Sequence, residues 1–212
     1  MDNFNSGKIK EMVYDVLQNP TRENFIDILD NGLGEQDNLD FKVQWIEAQK
    51  LAEILLGIAN SGGGAIILGV KENEDGTLES IGLSKIEDKE KIHSKMAKFL
   101  PETIKFEIAD FDFSNESYSK LKGRLFQLIL IYSEDINLPY IWEKDSNSAE
   151  AGSIFFRRGT KTVKANSYEI NEMLDKRLEA TYVEQSSLHL EEHLKQLNTY
   201  IKICHLRCIR LR

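Results

Sequence analysis

Cysteine is nearly absent from this chain. Of 212 residues only Cys204 and Cys208 carry a thiol, both within the last ten. At i, i+4 on a helix they share a face, and two terminal thiols give neither a disulfide framework nor a zinc site. A reducing, cytoplasmic setting is the expectation. Long apolar runs are also missing, so no stretch suffices to span a bilayer. The opening MDNFNSGKIK is polar and lacks the apolar segment of a signal peptide, so no membrane partner is expected. Positive charge is scarce as well. Lys and Arg number 27 against 35 Asp and Glu, for a net charge of −8. That balance argues against an indiscriminate grip on phosphate backbones, which clustered Lys and Arg provide, but leaves room for a local basic face.

Further absences narrow the chemistry. The run Gly62-Gly63-Gly64 has no G-K-[S/T] ending and follows a helix where a phosphate loop would precede one. It reads as a helix stop. No Ser/His/Asp or Cys/His arrangement can be assembled. His189 and His193 stand i, i+4 in the tail, but with no third ligand in view they read as helix surface.

What is present is ordinary globular composition, 41% hydrophobic and 29% charged. The central stretch is LDFKVQWIEAQKLAEILLGIANSGGGAIILGV, residues 39–70. Trp45, Ile46, Leu51, Ile54, Leu55 and Ile58 recur at helical spacing, Asn60 to Gly64 stops the helix, and Ala65 to Val70 reads as a buried strand. Before it, residues 8–18 and the segment capped by Thr21 form an amino-terminal helical hairpin broken at Asn19-Pro20. After it, residues 70 and 78–81 pair as a hairpin, 87–100 form a helix, and 104–112 and 124–133 form strands. Leu138 to Trp142 is an edge strand or apolar loop. Ser153 to Arg157 is a strand, Asn166-Ser167 caps a helix over 168–178, and the tail from Gln185 is leucine-rich and helical. The fold class is α+β, a mixed, mostly antiparallel sheet with flanking helices, an N-terminal helical hairpin and a C-terminal helix. The domains are 1–34, 35–180 and 181–212.

The basic residues gather in one place. Arg157, Arg158, Lys161 and Lys164 lie within eight residues, interleaved with Thr160 and Thr162 and preceded by Phe155 and Phe156. On a strand Arg157 and Arg158 point to opposite faces, so at most one reaches a ligand. Gly159 and Thr160 can offer backbone N–H and hydroxyl donors to phosphate. Lys42 joins them if its strand lies beside this turn. The plain alternative is a solubilising sheet edge.

Two of these blocks carry a family resemblance. Asp40-Phe41-Lys42 with Ala59-Asn60-Ser61-Gly62-Gly63 and the strand ending Gly69-Val70 resemble the Schlafen AlbA_2 (divergent AAA-4) domain. Arg157-Arg158-Gly159-Thr160-Lys161-Thr162-Val163-Lys164-Ala165 resembles its second block, R-x-G-S/T-x-T-x-x-A. The resemblance spans roughly residues 30–180 and implies a DNA- or RNA-binding domain. In bacteria it is associated with regulators and phage-defence loci. It also implies an acidic set, because related endoribonucleases carry two glutamates and an aspartate that hold a divalent cation. Glu35 and Asp40 match the first two positions, with aspartate at 40 in place of glutamate, and the third falls at Lys71 or Glu72, where the chain departs from the pattern, so that Glu35, Asp40 and Glu72 are the candidate set. On this reading they hold Mg²⁺ or Mn²⁺ and cleave structured RNA such as tRNA. Otherwise Glu35 is a solvated loop residue and Asp40 pairs with Lys42 or a turn amide. Homodimerisation through the tail, or a protein partner bound by the C-terminal helix, completes the expectations.

Overall fold

The computed structural model describes residues 38–73, 76–114 and 121–209, together with Thr21, Glu23, Phe25 and Ile26. Its centre is a four-stranded sheet in the order β1-β2-β6-β5. Strand β1 is Leu39–Lys42, β2 Gly64–Leu68, β5 Lys105–Asp112 and β6 Leu125–Tyr132. β1 runs parallel to β2, and β6 is antiparallel to both β2 and β5, so the sheet is mixed and mostly antiparallel as the sequence implies.

Helix α1, Ala48–Asn60, makes the crossover between the parallel pair. It starts at Ala48, so Trp45 and Ile46 precede it and are half-buried, whereas the spacing of the sequence includes them in the helix. The reason is a side-chain contact: Trp45 Nε1 donates to Gln127 Oε1 at 2.9 Å, tying the entry to β6. At its other end Gly63 N–H reaches back to Ile58 O at 2.9 Å, with Gly62 and Gly63 at φ 97° and 81°. That left-handed geometry makes the glycine run a helix stop.

The sheet is covered on both faces, which explains why Ala65-Ile66-Ile67-Leu68 is apolar without alternation. Ile66, Leu68, Ile129 and Ile131 join Leu51, Leu55 and Ile58 of α1 on one side. Ala65, Ile67, Leu128 and Leu130 join Phe41, Phe111, Phe113 and Phe126 on the other. Phe25 is fully buried in this second cluster and stacks on Phe111 at 4.4 Å between centroids. Glu23, Phe25 and Ile26 are helical. The first helix of the expected amino-terminal hairpin lies outside the described residues.

Smaller elements frame the sheet. Strands β3 (Val70–Glu72) and β4 (Leu78–Ser80) form the expected hairpin. Helix α2, Lys89–Met96, is capped by Asp88, whose Oδ1 accepts from Lys91 N at 3.1 Å. A 3₁₀ turn spans Asp135–Asn137. The segment from Leu138 to Trp142 is a loop rather than a strand, and Leu138, Tyr140 and Trp142 are buried in the α1-side core. Strands β7 (Phe155–Arg158) and β8 (Lys161–Lys164) form a two-residue hairpin, and α3 runs continuously from Ser167 to Ile209. The helix expected over 168–178 and the leucine-rich tail are therefore one helix. No described helix is long and apolar enough to cross a membrane.

Candidate nucleic-acid interface

The β7–β8 hairpin is held against the carboxyl-terminal half of α1 by two residues of the A-N-S-G region and one glycine before it. Gly57 lets the strand approach: a Cβ there would stand 2.7 Å from Thr162 Cγ2. Asn60 is fully buried and uses its whole amide. Its Nδ2 donates to Tyr140 O at 2.9 Å and Phe155 O at 2.8 Å, and its Oδ1 accepts from Tyr140 N at 2.7 Å. Ser61 Oγ accepts from Arg157 N at 2.9 Å. A single asparagine thus fastens helix, buried loop and hairpin together, satisfying backbone groups that no sheet ladder reaches.

Arg157 and Arg158 point to opposite faces, as the strand alternation requires, and each meets a carboxylate. Arg157 points inward. Its Nη2 is 2.6 Å from Asp40 Oδ1, with both side chains only 1% exposed, and its Nη1 donates to Thr162 Oγ1 at 3.4 Å. Lys42 Nζ lies 2.6 Å from Asp40 Oδ2 and donates to Phe41 O at 3.2 Å. The Lys42–Asp40 contact is an ion pair without hydrogen-bond alignment at Oδ2. Arg157 Nε is buried and has no hydrogen-bond partner among the described residues. Lys42 and the basic block are therefore neighbours across more than a hundred residues of chain, joined through Asp40.

Arg158 points outward and forms a fork with Glu169, Nε to Oε1 at 2.6 Å and Nη2 to Oε2 at 2.8 Å. Glu169 also closes a capping box on α3: its Oε2 accepts from Asn166 N at 2.8 Å, and Asn166 Oδ1 accepts from Glu169 N at 3.0 Å. The Arg158 hydrogen bonds, aided by the Asn166 amide and the arginine charge, hold the Glu169 carboxyl below its ordinary 4.5 against the opposing pull of burial. The same fork raises Arg158 further.

What remains outermost is the turn and the second strand. Gly159, with φ 57°, comes first in the two-residue turn, where positive φ is required, and Gly159, Thr160, Lys161 and Lys164 are all exposed. Lys161 pairs across the hairpin with Arg158 and shares its outward face, while Lys164 stands opposite Phe155 at the far end. Thr162 is half-buried against Gly57.

Of the acidic set, only Asp40 and Glu72 are among the described residues, and Glu35 lies outside them. Glu72 is half-buried on β3, and Lys71 is exposed opposite Glu79. Among the described residues no three His, Cys, Asp or Glu side chains stand close enough to share a metal ion. Asp40 as arranged here does not fit a divalent cation, since each oxygen already faces a cationic nitrogen at 2.6 Å. His93 stacks on Phe106 at 4.2 Å between centroids.

Sequence reasoning missed Asn60, Ser61 and Gly57 as anchors and Glu169 as the partner of Arg158. The signals were there: Asn60-Ser61 sits inside the motif read only as a helix stop, and Asn166-Ser167-Tyr168-Glu169 has the N-x-x-E spacing of a capping box.

The arrangement defines an α+β domain in which a basic hairpin is clamped onto the crossover helix of a mixed sheet. Residues 35–166 match the family model "Schlafen, AlbA_2", and the chain belongs to that family. Membership associates it with nucleic acids. The matched span contains Asp40, Lys42, Asn60, Ser61 and the whole of β7–β8, while Glu169, the partner of Arg158, lies just beyond it. No curated protein matches the chain. Among solved structures, it is similar to the DIP2311 protein from Corynebacterium diphtheriae at 17% identity and a TM-score of 0.47. That alignment covers 79% of this chain but 28% of the other, so the chain spans under a third of that protein's length.

Proposed function

We propose that the chain binds nucleic acid by its phosphate backbone, through the tip and outer strand of the β7–β8 hairpin. Thr160, Lys161 and Lys164 are the contacts, the backbone N–H groups of the turn add donors, and Arg158 and Lys42 lie at the margins. The observation that supports this is the division of labour among the cations. Arg157 is consumed by Asp40 and holds the hairpin on the sheet, Arg158 is shared with Glu169, and the two lysines of β8 face solvent. The overall charge of −8 weakens sequence-independent attraction elsewhere and confines it to this projection. Nothing in this set reads base edges, so binding is to backbone rather than to sequence.

The test is titration of a mixed-sequence RNA duplex and a mixed-sequence DNA duplex into the wild type and Lys161→Glu/Lys164→Glu, at several salt concentrations. Neither lysine makes a described hydrogen bond, so the fold should persist. The double variant should lose about tenfold or more in affinity, and its salt slope should flatten by about one per lysine. Equal affinity and equal slope would remove the proposal. The ribonuclease alternative requires Asp40 to exchange both of its present contacts for a Mg²⁺ or Mn²⁺ ion. EDTA-sensitive cleavage of tRNA that disappears in Glu35→Ala would favour it.

A further inference from the structure

The hairpin and its anchors leave one large feature without a role, the outer part of α3. Its first turns are fixed: Met173 is buried, and Arg177 Nη1 donates to Leu138 O at 3.3 Å. From Tyr182 to Asn198 every side chain that is described is exposed, among them Val183 at 66%, Leu194 at 51% and Leu197 at 57%. The helix nevertheless continues to Ile209, so about 40 Å of it, at roughly 1.5 Å per residue, extends past the anchored turns. A solitary helix of this kind is marginal in water, and most helical stability comes from packing an apolar stripe. Its stability therefore favours a partner along this stretch.

Two sequence features say which. The first is spacing. Leu190, Leu194, Leu197 and Ile201 follow one another by steps of four, three and four. Continuing the same alternation reaches Ser187 and Val183 in one direction, and Cys204 and Cys208 in the other. This is the a/d seam of a two-helix contact, sustained for nearly four heptads. The second is charge. Glu172, Asp175, Glu179, Glu184, Glu191 and Glu192 dominate the first part of the helix, with only Lys176 and Arg177 against them. After Glu192 there is no acidic residue, and Lys195, Lys202 and Arg207 lead to Arg210 and Arg212. Two such helices side by side in parallel would set base against base and acid against acid. Antiparallel, each basic end meets an acidic start, and the helix dipoles oppose favourably.

We propose that α3 pairs antiparallel with α3 of a second copy of this chain, with the two-fold axis passing between Leu194 and Leu197. In that register every a position meets a d position. Leu194 faces Leu197 of the second copy, Leu190 faces Ile201, Ser187 faces Cys204, and Val183 faces Cys208. The contact is isologous and closes as a dimer. Because part of the attraction is between exposed charges, it weakens as salt rises.

The experiment has two arms, both on the full chain. Sedimentation equilibrium should give a dimer for the wild type and a monomer for Leu194→Glu/Leu197→Glu. The near-ultraviolet circular dichroism of the α+β domain should be unchanged in that variant. A monomeric wild type at all concentrations reached would overturn the proposal. The second arm reads orientation, in a Cys208→Ser background under mild oxidation. With Cys204 alone the two thiols lie about 25 Å apart across an antiparallel pair (~17 residues at ~1.5 Å each), and no covalent dimer should form. Adding Ser187→Cys places a thiol opposite Cys204 of the second copy and should give a covalent dimer on a non-reducing gel. A Cys204–Cys204 link without the added thiol, or none with it, refutes the antiparallel register.

Discussion

The guanidinium of Arg157 on β7 stands 2.6 Å from the carboxylate of Asp40 on β1, and both side chains are all but sealed from water. The pair joins the two blocks of the family signature, 117 residues apart in the chain. A buried pair of this kind adds little stability compared with an apolar isostere, but breaking it strands a charge.

Asp40→Ala should therefore cost about 3–5 kcal/mol of unfolding free energy, read from urea melts. Asp40→Ala/Arg157→Met should recover much of that loss, because both charges leave together. A single-variant loss of about 0.5 kcal/mol, the level of a surface ion pair, would mean that water reaches Arg157.

Asn60 makes three hydrogen bonds to backbone atoms of two separate segments. Asn60→Ala leaves those buried groups without partners and should destabilise by about 3 kcal/mol. Hydrogen exchange supplies the check: the amide of Tyr140 should lose protection before those of β2 and β6. Uniform loss across the sheet would contradict the view of Asn60 as a local fastener.

Gly57 faces a choice between two opposing effects. Alanine there gains about 1 kcal/mol of helix propensity, but its Cβ would meet Thr162 Cγ2 at 2.7 Å. Overpacking of this kind costs about 1–3 kcal/mol, so Gly57→Ala should destabilise the wild type. In a Thr162→Ser background, which lacks that methyl, the same change should be neutral or stabilising. A double-mutant cycle measures the coupling, expected at about 1 kcal/mol. Additive effects would show that the hairpin shifts freely on α1.

Glu169 gives the fold a pH signature. Its carboxyl is held below 4.5 in the folded chain, chiefly by the Arg158 fork. A group depressed in this way contributes stability above its unfolded pKa and loses it as pH falls through the folded one. Melting temperature should thus drop on acidification below about pH 4.5 more steeply in the wild type than in Glu169→Gln. Parallel acid limbs would show that the fork contributes nothing to folding. Its partner is partly exposed, so the effect should also shrink in high salt.

Much of this architecture is legible in the residues themselves. The apolar run of β2, the glycine stop after α1 and the polar turn between β3 and β4 each follow from local chemistry. The opposite directions of Arg157 and Arg158 follow from strand periodicity alone. What the chain does not declare is pairing over distance. Arg157 reads as a phosphate ligand until Asp40 is found beside it, because a basic residue looks the same whether it is bound for solvent or for a buried carboxylate. Asn60 likewise reads as a helix terminator, since its partners lie 80 and 95 residues downstream. The start of α1 is displaced for the same reason: Trp45 is drawn away by Gln127, a contact that helical spacing cannot register.

The reach of Asn60 also bears on the order in which a ribosome could complete this fold. Contacts so distant in sequence are slow to find. A nascent chain that has emerged only as far as β6 has its central sheet strands but not the loop and strand that Asn60 receives. During that interval the end of α1 carries an unsatisfied amide and an uncovered apolar flank, a natural foothold for a chaperone.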